Sequence, residues 1–461
     1  MALNSQQRDF RQAEVKRIFG WAQAGESALV IGVSGVGKSN LFNHICDPQT
    51  QQMYLGELAA ETIVIRVNFH YAPDFTDRAV YSLILEQLEM LDGEKERLGL
   101  ADETVAAIGN WHEKMLDAGD DALKVQRCFK LAVRQLLARP SRRLVILCDQ
   151  FDEVYREAEP RLFANLRGLR EAYKYRLSYI LFTRHTLPNL LEMDAEREEF
   201  YELAASNLLG LRPYNYSDAL SLLQRIAQRN QLPLPDGLDR ELFRLTGGHA
   251  GLLRAVYLGV MERNLTLPPG SVEIASSLLE DIPGALVECE KIWNSLSPRE
   301  RRTLLFLREE RPLEEAERPY LHQLQIKGIL SEAEPPQLFA PIFAAFTQAQ
   351  EPVWERPLYF DEASRQVWVL GRPAPALTRL EYRLFHLLYQ RREQVVSKDE
   401  LVTAGWPSAK GGVSDEALIA AIARLRRKIE PDHKKPRFVQ NVHNQGYVLK
   451  TEGDYSGAAN Y

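Results

Sequence analysis

Eight residues near the start of the chain, Gly32-Val33-Ser34-Gly35-Val36-Gly37-Lys38-Ser39, have the types and spacing that bind a polyphosphate. Glycines let the backbone bend until successive N–H groups converge on an anion, and a helix that begins where the loop ends adds the positive end of its dipole. Lys38 is spaced to reach the β- and γ-phosphates, and the Ser39 hydroxyl to bind Mg²⁺. The candidate ligands of ATP or ADP are therefore Gly32, Gly35, Val36, Gly37, Lys38, Ser39 and Asn40. Such a site needs a second acidic group for the metal, and the apolar run 143–148 ends on Asp149, which with Ser39 makes the expected Mg²⁺ set. Gln150, Asp152 and Glu153 follow as the groups that could orient an attacking water. An amide at 150 cannot act as a general base, so slow ATP hydrolysis at most is expected, with Asp152 or Glu153 left to place the water. Arg184, at the end of the apolar run 177–182, is a candidate sensor of the γ-phosphate.

A different chemistry is written near the other end. Residues 424–437 hold Arg424, Arg426, Arg427, Lys428, Lys434, Lys435 and Arg437 against only Glu430 and Asp432, the footprint of contacts to a phosphate backbone. A helix from about Ser414 buries Leu418, Ile422, Leu425 and Ile429 at 4-3-4 spacing, which turns Ala420, Arg424 and Arg427 to the opposite face. Such a stripe can enter the major groove of double-stranded DNA, where arginine is the commonest reader of guanine. The candidate DNA contacts are Arg424, Arg426, Arg427 and Lys428. The charge divides accordingly: residues 352–461 hold 17 Lys+Arg against 13 Asp+Glu, and the rest of the chain 40 against 50.

The 461 residues suffice for about three domains, and 45% apolar content can give each a core. Four scattered cysteines without a CxxC pair suggest neither a disulfide framework nor a zinc site. With no leader pattern and no apolar run of about 18 residues, a cytoplasmic protein without a membrane partner is expected. Near-continuous apolar runs at 28–31, 62–69, 143–148 and 177–182 read as parallel strands buried on both faces, with helices at 39–46, 78–91 and 122–137 as crossovers. Ser297 with Glu300, and Thr378 with Glu381, are capping boxes that start helices; a further helix is expected at 397–404. Pro-bearing residues around 348–357 read as a linker, followed by short strands at 358–360 and 367–370.

From about residue 7 to 350 these motifs, with Asp149-Gln150-Phe151-Asp152, Thr183-Arg184 and Thr246-Gly247-Gly248-His249-Ala250-Gly251-Leu252-Leu253, resemble the STAND branch of the AAA+-like P-loop ATPases. The resemblance implies a helical lid and, after it, a winged helix packed on the ATPase. In that family a glutamate usually stands where Gln150 is, and a proline where Ala250 is. The last hundred residues resemble the OmpR/PhoB-type winged-helix domain through Leu377-Thr378-Arg379-Leu380-Glu381-Tyr382, Val395-Val396-Ser397-Lys398-Asp399-Glu400-Leu401, Trp406, the segment 422–429 and Gly446-Tyr447. By that resemblance Arg424 would reach base edges and Arg426 a phosphate, with His443 and Asn444 at the wing tip.

The expected fold is multidomain α/β plus α+β: a parallel-sheet P-loop ATPase core (1–210), a helical lid (211–287), a winged-helix module on the ATPase (288–350), a linker (351–357), a DNA-binding winged helix (358–453) and a tail (454–461). The expected function is a transcription regulator in which the nucleotide state controls promoter binding, through lid movement or self-association, under an upstream signal or partner protein the sequence does not name. Two rivals stay open: an ATP-hydrolysing enzyme acting on DNA, such as a replication initiator or transposition-type ATPase with Arg167 or Arg170 supplied in trans, and a defence sensor.

Overall fold

The computed structural model describes residues 9–119, 121–190, 194–267, 274–313, 315, 317–350, 356–362, 365–407, 413–442 and 445–451. The chain divides into two compact units, one drawn from Met1–Leu187, Met193–Leu296 and Pro312–Ala349, the other from Pro188–Glu192, Ser297–Arg311 and Gln350–Tyr461.

The first unit is built on strands β1 (Ala28–Ile31), β2 (Thr62–Asn68), β3 (Arg143–Asp149), β4 (Leu177–Thr183) and β5 (Leu208–Gly210), all parallel in the order β2-β3-β4-β1-β5. Every residue of β1 and β4 is buried, as expected of near-continuous apolar runs in a parallel sheet covered on both faces. In open parallel sheets ligands bind beyond the carboxyl ends of the strands, and here β1, flanked by β4 and β5, opens directly into the glycine loop. The crossovers include Asp77–Glu89, started by Thr76, and Ala122–Leu136, started by Asp121; each cap accepts from the backbone N–H three residues on. Five helices follow β5: Tyr216–Asn230, Leu238–Thr246, Ala250–Arg263, Ile274–Asp281 and Pro283–Asn294. Two more, Arg318–Ile326 and Pro341–Gln348, flank the isolated antiparallel bridge Leu330–Leu338. Gly210 and Gly247 have no Cβ because the Ile326 and Phe339 carbonyls lie in the space it would fill, so this last helical piece seats its backbone directly on β5 and the lid turn.

The second unit contains a three-stranded antiparallel sheet of β6 (Leu358–Asp361), β7 (Gln366–Val369) and β8 (Arg372–Pro373). The helices Arg379–Gln390, Lys398–Gly405 and Asp415–Ile429 follow, with β9 (Val395–Ser397) between the first two, and the chain returns through the hairpin β10 (Val439–Val442) and β11 (Gly446–Leu449). The hairpin pairs with β9 in the order β10-β11-β9. Leu384, Phe385, Leu401, Leu418, Leu425 and Ile429 are fully buried and tie the three helices to both sheets. Both capping boxes are formed, and Ser397 with Glu400 makes a third.

The helix Pro298–Arg308 was expected inside the module 288–350 but groups with the second unit. Arg301 makes a buried ion pair of 2.6 Å with Asp361 on β6, and Arg302 donates to the Gly371 carbonyl. Arginines at 301 and 302 look like surface charge in the sequence, which is why the alliance is not visible there.

Candidate nucleotide site and nucleic-acid interface

Gly35 and Gly37 take φ of +74° and +101°, which side chains other than glycine's resist, and so bend the loop into the N-terminus of the helix Lys38–Cys46. A cleft of about 1030 Å³ opens over this point. Ser34, Gly35, Gly37, Lys38, Ser39 and Asn40 line it, with Asp149, Gln150, Asp152 and Arg184 from the ends of β3 and β4. Two of the expected ligands, Gly32 and Val36, do not. The Gly32 N–H is bonded to the Thr183 carbonyl and stitches the loop to β4, while the Val36 side chain is buried and its carbonyl accepts from Arg11 at 2.8 Å. Asn40 lines the cleft, but its amide donates to the Tyr214 hydroxyl at 2.9 Å.

Lys38 folds back over the loop, donating to the Gly32 and Val33 carbonyls at 2.9 and 3.2 Å. Burial among these walls pushes its ammonium down to about 8, against the pull of Asp152. Ser39 and Asp149 both line the cleft, so the donor set fits a hard cation bridging to phosphate. Asp149 is paired at 2.6 Å with Arg66 on β2, a partner that sequence reading missed because an arginine inside a strand looks like an exposed edge charge. Of the groups expected to place water, Gln150 lines the cleft in a left-handed conformation (φ 56°) as the first residue past β3. Asp152 is buried and accepts the Arg184 backbone N–H at 3.0 Å, so its carboxylate holds the Arg184 backbone in place. Glu153 does not line the cleft and stands 3.7 Å from the Arg184 guanidinium. The lid helices bring Arg225, Arg229 and Arg254 to the same cleft. The four-residue step from 225 to 229 was the available signal that one helix face carries both.

The lid is fastened to the loop. His249 is fully buried; its Nε2 lies 2.9 Å from the Ser34 carbonyl, while its Nδ1 accepts the Leu252 N–H and caps the helix Ala250–Arg263. Only the neutral ring protonated on Nε2 makes both bonds, and burial drives its pKa down to about 4. Two residues on, the Gly251 N–H donates to the Gly35 carbonyl at 3.0 Å. The Ser34 N–H, one of the loop's own amides, donates to the Ser295 hydroxyl at 3.1 Å. A Cβ on Gly35 would stand 2.7 Å from the His249 ring, so the absent side chain makes room for the latch.

In the second unit the helix Asp415–Ile429 buries Leu418, Ala421, Ile422, Leu425 and Ile429 and exposes Ala420, Ala423, Arg424 and Arg427. Arg426 and Lys428, also expected on DNA, are turned to structural work. The Arg426 Nε donates to the Val439 carbonyl at 3.0 Å with its guanidinium 5.7 Å from the centre of the Tyr447 ring, and Lys428 donates to the Ala376 carbonyl at 2.7 Å and pairs with buried Glu381 at 3.0 Å. His443 and Asn444 lie outside the described residues. Arg167 is paired with Glu199, and Arg170 is buried beside Glu171.

The family model for AAA ATPase domains matches residues 6–181, and that for the C-terminal part of transcriptional regulatory proteins matches 371–449. The chain joins an AAA ATPase domain to an OmpR/PhoB-type DNA-binding domain. Its ATPase domain holds the cleft and its DNA-binding domain the helix Asp415–Ile429. The DNA-binding dual master transcriptional regulator RpaA of a Synechocystis strain is 34% identical over 83 residues, 18% of this chain and 34% of the relative. Protein PetR of Rhodobacter capsulatus is 31% identical over 126 residues, 25% of this chain and 53% of the relative. The chain thus spans about a third to a half of these relatives' length. Among solved structures, a Walker-type ATPase of Pyrococcus abyssi covers 73% of the chain, and the chain 95% of it, at 14% identity and a TM-score of 0.43. The DNA-binding domain of Klebsiella pneumoniae RstA, solved in complex with RstA box, covers 21% of the chain, which covers 93% of it, at 25% identity and a TM-score of 0.19. Among the described residues no helix is long and apolar enough to cross a membrane.

Proposed function

We propose that the protein is a transcription regulator whose grip on promoter DNA is set by ATP and Mg²⁺ at the cleft. One observation carries this reading. The Ser34 amide of the phosphate loop is held by Ser295, and two residues later Ser297 caps the helix Pro298–Arg308, which is ion-paired through Arg301 to the first strand of the DNA-binding unit. A phosphate that takes the loop's amides competes with Ser295 for Ser34, so occupancy is felt at the covalent entry to the DNA-binding unit. A ligand shifts such an equilibrium only through unequal affinity for the two states, and the bonds from His249, Gly251 and Ser295 to the loop are interactions that phosphate binding and the latched state do not share.

In this reading Lys38 and the loop amides hold the phosphates, Ser39 and Asp149 the metal, and Arg184 reports the γ-phosphate. The metal screens charge on the phosphates when bound, and Gln150 keeps turnover slow. Arg424 and Arg427 contact DNA. The test is Ser295→Ala measured beside Lys38→Ala. Lys38→Ala should lose ATP binding and leave nucleotide-free DNA binding intact, whereas Ser295→Ala should keep ATP and DNA binding but lose the influence of one on the other. Wild-type coupling in Ser295→Ala would remove this path.

A further inference from the structure

The DNA-facing side of the helix Asp415–Ile429 is unusual in what it lacks. Ile419 is 51% exposed, and Ala420 and Ala423 beside it are also exposed. At 100° per residue Ile419 and Ala423 stack one turn apart on one flank, and Ala420 lies between them and the centre of the face. Arg424 and Arg427 border this patch toward the helix C-terminus, and Glu416 precedes it in the first turn. The exposed part of the stretch from Ile419 to Ala423 therefore offers base edges no side-chain hydrogen-bond donor or acceptor.

An exposed isoleucine flanking two alanines, next to two arginines, suits one feature of the major groove, the C5-methyl of thymine, since apolar side chains read that group while arginine reads guanine. Small side chains at 420 and 423 let the helix backbone come close to the bases, and Ile419 then has a methyl to cover. Its remaining core neighbours give no alternative, because Leu418 and Ile422 already fill the inward face. We infer that Ile419, with Ala420 and Ala423, makes the DNA-binding domain select duplexes carrying thymine methyl groups in the major groove beside a guanine contacted by Arg424. This rests on the DNA-binding reading above and adds the class of sequence it prefers.

The full-length protein would be used to select duplexes from a randomised library at fixed salt, and the winning site resynthesised with deoxyuridine for thymidine, which removes only the methyl groups. The expected result is a thymine-bearing consensus and a loss of affinity of about fourfold for each contacted methyl. Ile419→Ala, a surface change that leaves the core untouched, should shrink the thymidine-to-deoxyuridine ratio toward one. A well-defined consensus bound equally well with deoxyuridine overturns the thymine assignment while leaving DNA recognition standing. An unchanged ratio in Ile419→Ala overturns the role of that residue. If no sequence is enriched at all, the DNA-binding reading and this inference fall together.

Discussion

Lys38 shows how much a single side chain's surroundings decide. Its ammonium is held by the Gly32 and Val33 carbonyls of its own loop with a pKa near 8, and the added negative charge of phosphates favours its charged form. Binding is then coupled to proton uptake. ATP affinity should be flat below pH 8 and fall as pH rises above it, where the free protein no longer carries the proton; calorimetric titrations between pH 7 and 9 in buffers of different ionisation enthalpy read this directly, and pH-independent affinity would contradict it. His249 works in the opposite sense. Its folded-state pKa of about 4 lies below the ordinary 6.5, so the folded state resists protonation, and the stability present above pH 6.5 declines as pH falls toward 4. The loss should approach about 3 kcal/mol in wild type and be absent from His249→Gln in melts across that range.

The helix Asp415–Ile429 separates residues that a sequence cannot. Arg424, Arg426, Arg427 and Lys428 form one basic run, yet the first and third are exposed while Arg426 and Lys428 bind the Val439 and Ala376 carbonyls. Arg424→Ala should leave the melting temperature unchanged and weaken specific DNA binding by about 1–3 kcal/mol. Lys428→Met should do the reverse: it leaves the buried Glu381 carboxylate with its Thr378 N–H but without its cation, and should cost about 1–3 kcal/mol of stability, seen as a lower denaturant midpoint. The same contrast explains what was legible beforehand. β1 to β4, the capping boxes and the buried stripe of Asp415–Ile429 follow from apolar spacing and short-range hydrogen bonds, and they appear within a residue or two of where they were expected. Arg66 on Asp149, Ser295 on Ser34 and Arg301 on Asp361 join residues 83, 261 and 60 positions apart, and no local pattern announces them. The loss of Gly32 and Val36 from the cleft has the same origin, since their partners Thr183 and Arg11 come from distant segments.

Across the whole chain, an ATPase domain with a latched loop precedes a DNA-binding domain, and Ser295 and Ser297 stand on either side of the division between the two units. Under the proposed function this pairing would account for Gln150, because a nucleotide switch that stays on at a promoter gains nothing from rapid hydrolysis. The most direct measurement is the affinity of the full-length protein for duplex DNA from its own upstream region, at one fixed salt, without nucleotide, with ADP, and with a non-hydrolysable ATP analogue plus Mg²⁺. Nucleotide gating requires the analogue state to differ from the other two by at least about fivefold, the lower end of ordinary allosteric coupling. Equal affinity and stoichiometry in all three states would mean that the cleft does not govern the DNA-binding domain.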